Sequence, residues 1–169
     1  REVGTGENVR RAGEDIRQGA AVLARGERLG SGEIGLLASL NHVMVPVFRQ
    51  PRVAIISTGD EIAEVGGALS HGQIRNSNAY SVAAEVRKYG ALPSYIGIAR
   101  DTMEDTRQKL SSALGHDIII TSGGISMGKY DYVGASMMEL GVEIMIQTIR
   151  MKPGKPCVFG VRDSTLFFG

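Results

Sequence analysis

The stretch Asp117-Ile118-Ile119-Ile120-Thr121 runs directly into Ser122-Gly123-Gly124-Ile125-Ser126-Met127-Gly128-Lys129-Tyr130-Asp131. Three consecutive β-branched apolar residues between polar ends predict a short strand buried on both faces, as in a parallel sheet covered by helices. A loop rich in glycine and hydroxyls then falls at the carboxyl end of that strand, where open parallel sheets bind their ligands.

On either side the same alternation recurs. Arg52 to Ser57 (RVAIIS) is a second continuous apolar run and reads as a strand. Asn78 opens a helical stretch through Tyr89, with Ala79, Val82, Ala83 and Val86 on one face and Gly90 beyond its end. A strand is expected around Tyr95 to Ile98, a helix over Met103 to Leu114 closed by Gly115, and a helix over Tyr132 to Leu140 ended by Gly141. Further strands are expected near Val142 to Ile149, Val158 to Val161 and Thr165 to Phe168. The fold expected of residues 49–169 is a three-layer α/β/α domain on a mostly parallel sheet.

Residues 1–48 differ in character and read as a partial N-terminal segment and linker. Glu7 to Glu27 carries scattered glycine and charge, Ser31 looks like the N-cap of a helix running to Leu40, and Val43 to Phe48, interrupted by Pro46, reads as a linker or edge strand. Gly30-Ser31-Gly32-Glu33-Ile34-Gly35 matches G-x-G-x-x-G. A dinucleotide site needs a strand immediately before that motif and an acid about 20 residues on. Here Arg25 to Arg28 is polar, and Arg49 and Gln50 stand in place of the acid, so the match is a decoy.

Composition narrows the function. With 19 Lys+Arg against 18 Asp+Glu in 169 residues, the net charge of +1 gives no bias toward nucleic acid or anionic lipid. No apolar run approaches the ~20 residues of a membrane span. A single cysteine, Cys157, and three histidines without metal-ligand spacing exclude a Cys/His metal cage. They also point to a reducing cytoplasmic setting. Any metal would be bound by oxygen.

Three strands deliver an aspartate to one sheet edge. The first runs into Ser57-Thr58-Gly59-Asp60-Glu61, the second into Arg100-Asp101-Thr102, and the third through Ser122-Gly123-Gly124 to Asp131. Glycine-hydroxyl loops let backbone N–H groups approach phosphate oxygens, and aspartates can hold a Mg²⁺ that bridges them. Lys152-Pro153-Gly154-Lys155-Pro156 places two cations three residues apart in a stiff turn, which suits an oxyanion. Each element also has a plainer reading. Asp60 or Asp101 could cap a helix, Gly123-Gly124 could be only a tight turn, and the two lysines could be solvated surface. Their joint placement on one edge favours a site.

Four motifs in this order and spacing resemble the molybdopterin molybdenumtransferase family, which includes the bacterial MoeA proteins and the gephyrin E-domain. They are STGDE (Ser57 to Glu61), GQIRNSN (Gly72 to Asn78), SGGIS-MG-x-x-D (Ser122 to Asp131) and MKPGKP (Met151 to Pro156). The segment GENVRRAGEDI (Gly6 to Ile16) resembles the entry to the shared domain. The resemblance implies insertion of molybdate into adenylylated molybdopterin (molybdopterin-AMP), with Mg²⁺ assistance and release of AMP. It further implies that Ser126, Asp131, Lys152, Lys155 and Pro156 surround molybdate or the reacting phosphate. Asp60 and Asp101 would then lie at the pterin-phosphate edge, with Glu33 as a further cleft acid. Metal-binding and catalytic roles are thus expected of Asp60, Asp101 and Asp131, and substrate contacts of Thr58, Gly59, Ser122, Gly123, Gly124, Ser126, Lys152, Lys155 and Pro156.

The family's pattern continues into a C-terminal β-rich domain, so the chain reads as an excerpt of a longer one. A homodimer and an adenylyltransferase partner of the MogA type are the implied associations, with no nucleic acid and no membrane. His71, and Asn76 in the R-N-S-N segment, stand where family members often carry aspartate, so neither is expected to be a carboxylate ligand. Two alternatives remain: a molybdopterin adenylyltransferase of the MogA/MoaB type, and a gephyrin-like scaffold module.

Overall fold

The structure, a computed structural model, describes residues 2–124 and 131–169. The chain divides into two compact units, Arg1–Phe48 and Arg49–Gly169.

The first unit is a series of turns followed by one helix, α1 (Ser31–Ser39). Gly6, Gly13, Gly19 and Gly26 all sit at positive φ, where a side chain would be strained, and they reverse the chain at short intervals. Gly30, not the expected Ser31, is the N-cap of α1. Its N–H donates to Oε2 of Glu33 at 2.8 Å, the reach-back half of a capping box. Residues 43–48 form no strand. The Arg25 guanidinium lies 5.3 Å from the Phe48 ring centre.

In the second unit a six-stranded sheet comprises β1 (Arg52–Thr58), β4 (Leu92–Ala99), β5 (Ile118–Ser122), β6 (Glu143–Thr148), β7 (Pro156–Arg162) and β8 (Thr165–Phe168), in the order β4-β1-β5-β8-β7-β6. β4, β1, β5 and β8 run parallel, while β7 and β6 add an antiparallel hairpin at one side. A separate two-stranded parallel piece joins β2 (Ile62–Ala63) to β3 (Ile74–Arg75).

Three helices cover the sheet: α2 (Ser77–Lys88), α3 (Met103–Ala113) and α4 (Tyr132–Glu139). Strand β1 explains why both faces need cover, because alternate side chains point to opposite sides and all from Val53 to Thr58 are buried. Ala54 and Ile56 pack with Leu110 and Ala113 of α3 and Val133 and Met137 of α4. Val53 and Ile55 pack on the opposite face with Ala79, Val82 and Val86 of α2. The expected three-layer α/β/α architecture is therefore present.

Several boundaries differ from expectation. Asn76, not Asn78, caps α2, because its Oδ1 is free to accept the Ala79 N–H. Strand β4 starts at Leu92 and includes Pro93, which an edge strand tolerates because one row of its N–H groups is unpaired.

Candidate functional site

The carboxyl ends of β1, β4 and β5 are adjacent, since β1 lies between the other two. Register places Thr58 beside Ala99 and Ser57 beside Ser122. The three loops predicted to carry chemistry therefore begin side by side.

Two of them are clasped. The backbone N–H of Asp60 donates to Oδ2 of Asp101 at 3.3 Å, and the backbone N–H of Asp101 donates to Oδ1 of Asp60 at 3.4 Å. Gly59 adds a third tie, its N–H donating to the Ala99 carbonyl at 3.1 Å. Glycine suits this position because at φ +132° a side chain would be strained. Neither Asp60 nor Asp101 caps a helix. The cap of α3 is Thr102, whose hydroxyl accepts the Asp105 N–H.

The third loop leaves β5 over Thr58, whose hydroxyl donates to the Ser122 carbonyl at 3.4 Å. Gly123 and Gly124 follow at φ +95° and +67°, and a Cβ on Gly124 would stand 2.5 Å from Thr58 Oγ1. Backbone conformation and close approach thus both demand glycine. Ser122 Oγ accepts from Nδ2 of Asn78 at 3.1 Å, so α2 helps to place this loop. Ser126 lies outside the described residues.

Asp131 has a structural duty. It is the N-cap of α4, and its Oδ1 accepts the Gly134 N–H at 2.8 Å. Among the described residues no three His, Cys, Asp or Glu side chains form a group able to hold a metal ion, so Asp60, Asp101 and Asp131 do not constitute a three-carboxylate centre. The clasped pair meets a different requirement. A phosphate-bridging Mg²⁺ takes only one or two carboxylates and completes its shell with phosphate and water oxygens. Asp60 and Asp101, both exposed on facing loops, fit that donor set.

Lys152 and Lys155 are exposed at the tip of the β6–β7 hairpin. The Ile149 N–H donates to the Lys155 carbonyl at 3.0 Å, and Pro156 pairs with Thr148 to begin β7. Because β6 runs in the same sense as the parallel strands, this tip lies at the same sheet edge as the three loops. Two strand spacings, about 10 Å, separate β5 from β7. The lysines therefore belong to the side of the sheet away from the aspartate clasp, with β8 between their hairpin and β5.

A polar network that the sequence reading missed lies beneath the first loop. Asn76 is 2% exposed; its Oδ1 accepts the Ser57 hydroxyl at 2.7 Å, and its Nδ2 donates to Tyr95 Oη at 2.7 Å. Tyr95 in turn donates to Oε1 of Glu64 at 2.7 Å. Partial burial, followed by the Glu64 contact, pushes the Tyr95 phenol above its ordinary pKa. Arg75 adds a tether, its guanidinium donating to the carbonyls of Glu64 at 2.8 Å and Gly67 at 2.5 Å. A capping asparagine before a helix was the one available sequence signal. Tyr95 and Glu64, 31 residues apart, carried none.

Glu33, read as a cleft acid, also serves as the reach-back acid of the α1 capping box. Backbone N–H groups of Glu33 itself and of Gly30 hold its carboxyl below the usual value. At the opposite edge of the sheet, Asp117 receives both Nη atoms of Arg49 and the Arg52 N–H, the latter at 2.7 Å. The Arg49 hydrogen bond is the larger cause, and together they hold the Asp117 carboxyl well below the usual carboxylate range.

Comparisons with known proteins give the family. Residues 54–168 match the family described as the probable molybdopterin binding domain, and residues 1–41 match the MoeA N-terminal region (domain I and II). A molybdopterin molybdenumtransferase of Bacillus subtilis is 36% identical over 166 residues, 98% of this chain and 39% of that protein. One from a Nostoc species is 41% identical over 152 residues, 89% of this chain and 35% of that protein. The crystal structure of a molybdopterin biosynthesis MoeA protein from Pyrococcus horikosii superposes with a TM-score of 0.81 at 34% identity, covering 93% of this chain and 39% of that one. The chain thus spans less than two fifths of the length of these relatives. With about two thirds of the chain matched by that model, the chain belongs to the family described as the probable molybdopterin binding domain.

Proposed function

We propose that this chain supplies the phosphate- and oxyanion-handling edge of a cytoplasmic enzyme of molybdenum cofactor biosynthesis, which inserts molybdate into adenylylated molybdopterin and releases AMP. The observation that carries the reading is the Asp60–Asp101 clasp beside the Gly123-Gly124 turn. It sets two carboxylates next to backbone able to approach a phosphate closely.

In this reading Asp60 and Asp101 hold Mg²⁺, which when bound neutralises charge on the phosphoanhydride and its leaving group. Thr58, Gly59, Ser122, Gly123 and Gly124 orient the phosphates. Hydroxyl and backbone donors fixed before the substrate arrives stabilise developing charge without reorganising. Lys152 and Lys155, held by the hairpin that Pro156 continues, attract the molybdate dianion, with Ser126 as a further donor. Asp131 contributes by fixing the start of α4, at the far end of the loop from Ser122. An adenylyltransferase of the MogA type would supply the adenylylated substrate, and a homodimer is the proposed assembly.

The test is AMP release from adenylylated molybdopterin, with molybdate and Mg²⁺ varied independently. Release that requires both is expected. Release indifferent to molybdate would sink the insertion reading and favour simple hydrolysis.

A further inference from the structure

Asn76 does more than cap α2. Its position demands an acceptor and a donor at once. The acceptor side receives the Ser57 hydroxyl at 2.7 Å and the Ala79 N–H at 3.4 Å; the donor side faces Tyr95 Oη at 2.7 Å. Glu64 Oε1 accepts from Tyr95 Oη, so the single Tyr95 proton is committed to it. The phenol oxygen must therefore receive its other hydrogen bond from residue 76. Asparagine satisfies every member of the chain Ser57 to Asn76 to Tyr95 to Glu64, and it does so in one direction only.

The geometry points to Asn76 as a positioning residue, a latch that directs the Tyr95 proton to Glu64 and so pins the excursion 61–76 against strand β4. That excursion starts at the residue after Asp60 and ends at Asn76, whose N–H donates to the Ala63 carbonyl of β2 at 2.9 Å and whose Oδ1 accepts the Ser57 hydroxyl of β1. Between its ends, residues 64–72 are exposed; Gln73 and Arg75 bond them from within the excursion, and the Tyr95–Glu64 bond ties them to β4. The latch depends on neither the substrate nor the reaction proposed above.

The chemistry makes a sharp prediction for a carboxylate at this position. In Asn76→Asp the new side chain would keep the bonds from Ser57 and Ala79 but would offer Tyr95 an acceptor in place of a donor. Two carboxylates would then compete for one phenolic proton. The buried one has the greater need, so Glu64, being exposed, would be released to water. Protonation would restore the donor. The charged and titratable groups that the structure sets around this point are Tyr95 and Tyr80, whose ring centres are 6.4 Å apart, together with Glu64 and Arg75. Arg75 bonds the Glu64 carbonyl rather than its carboxylate, so its tether survives the change.

Hydrogen exchange on the whole chain tests the idea through amide protection over residues 64–73. Asn76→Asp should lower protection there about tenfold, the loss of one charge-assisted bond. Protection should recover as pH falls and the new carboxyl takes up its proton. Glu64→Gln alone should change little, since the glutamine carbonyl can still accept. In the Asn76→Asp, Glu64→Gln double variant the glutamine amide can donate to Tyr95 Oη, the chain runs in reverse, and protection should return at neutral pH. Failure of the second change to rescue the first would overturn the latch. So would native protection in Asn76→Asp. Should Asn76→Asp alone not fold, a double variant that is likewise unfolded would refute it equally.

Discussion

Asp60 and Asp101 each accept the other's backbone N–H, at 3.3 and 3.4 Å, so two loops from neighbouring strands are joined through the same carboxylates proposed to meet a metal-bound phosphate. An amide oxygen can make the same two bonds without the charge. Asp60→Asn and Asp101→Asn should therefore leave thermal stability close to native while Mg²⁺-dependent AMP release falls roughly 10²-fold. Alanine at either position should in addition loosen the clasp and lower the melting temperature. If both asparagine variants keep full Mg²⁺-dependent activity, the pair is structural only.

Asp131 separates capping from chemistry in the same way. Asn caps helices as well as Asp does, whereas Asp131→Ala removes the bond to the Gly134 N–H and should cost about 1 kcal/mol. A denaturation midpoint that is native for Asp131→Asn and lowered for Asp131→Ala is expected. Activity that follows stability across the two variants would assign Asp131 to the fold, and activity lost in both would assign its charge to the reaction.

Gly124→Ala tests whether the turn after β5 is fixed by close approach. At φ +67°, with Thr58 Oγ1 standing 2.5 Å from the new methyl, the loop must shift or strain. A destabilisation of about 1–3 kcal/mol is expected. Thr58→Ser keeps the hydroxyl and should be close to neutral. Denaturant titration of the two variants gives the comparison directly.

The lysine pair at the hairpin tip should govern oxyanion affinity without bearing on the core. Lys152→Ala with Lys155→Ala should weaken molybdate and tungstate binding at least about tenfold in titration calorimetry, and the loss should shrink as salt rises. Unchanged affinity would place the oxyanion elsewhere.

At the far edge of the sheet, Asp117 should make stability depend on acid. Its folded-state pKa is depressed by Arg49 and by the Arg52 N–H, so its contribution is complete above the unfolded carboxylate value of about 4 and is lost as pH falls below it. The native chain should therefore lose melting temperature on acidification more steeply than Asp117→Asn. The two curves should converge at low pH, and parallel curves would contradict the assignment.

Periodicity made the layered architecture legible. Val53 to Ile56 and Ile118 to Ile120 are apolar on successive positions because both faces of a parallel sheet are covered, and the glycines after Tyr89, Leu114 and Leu140 mark helix ends. The loops that carry site residues could be named for a related reason. A strand-to-helix turn in such a sheet falls at one edge, so local sequence is enough to place Asp60, Asp101 and Ser122 there.

Which of those residues meet depended on strand order, which no local pattern encodes. With β1 between β4 and β5, Asp60 reaches Asp101, while Asp131, at the far end of its loop, turns its carboxylate to the start of α4. The Asn76–Tyr95–Glu64 chain was invisible for the same reason, since its members come from a helix cap, a strand and a loop brought together only by packing. Sequence by itself determined the layers and the edge at which the glycine- and aspartate-bearing loops gather, because hydrophobic period and turn chemistry act over a few residues. Tertiary structure alone decided the partners of each polar side chain, because a hydrogen bond is made at about 3 Å whatever the separation along the chain.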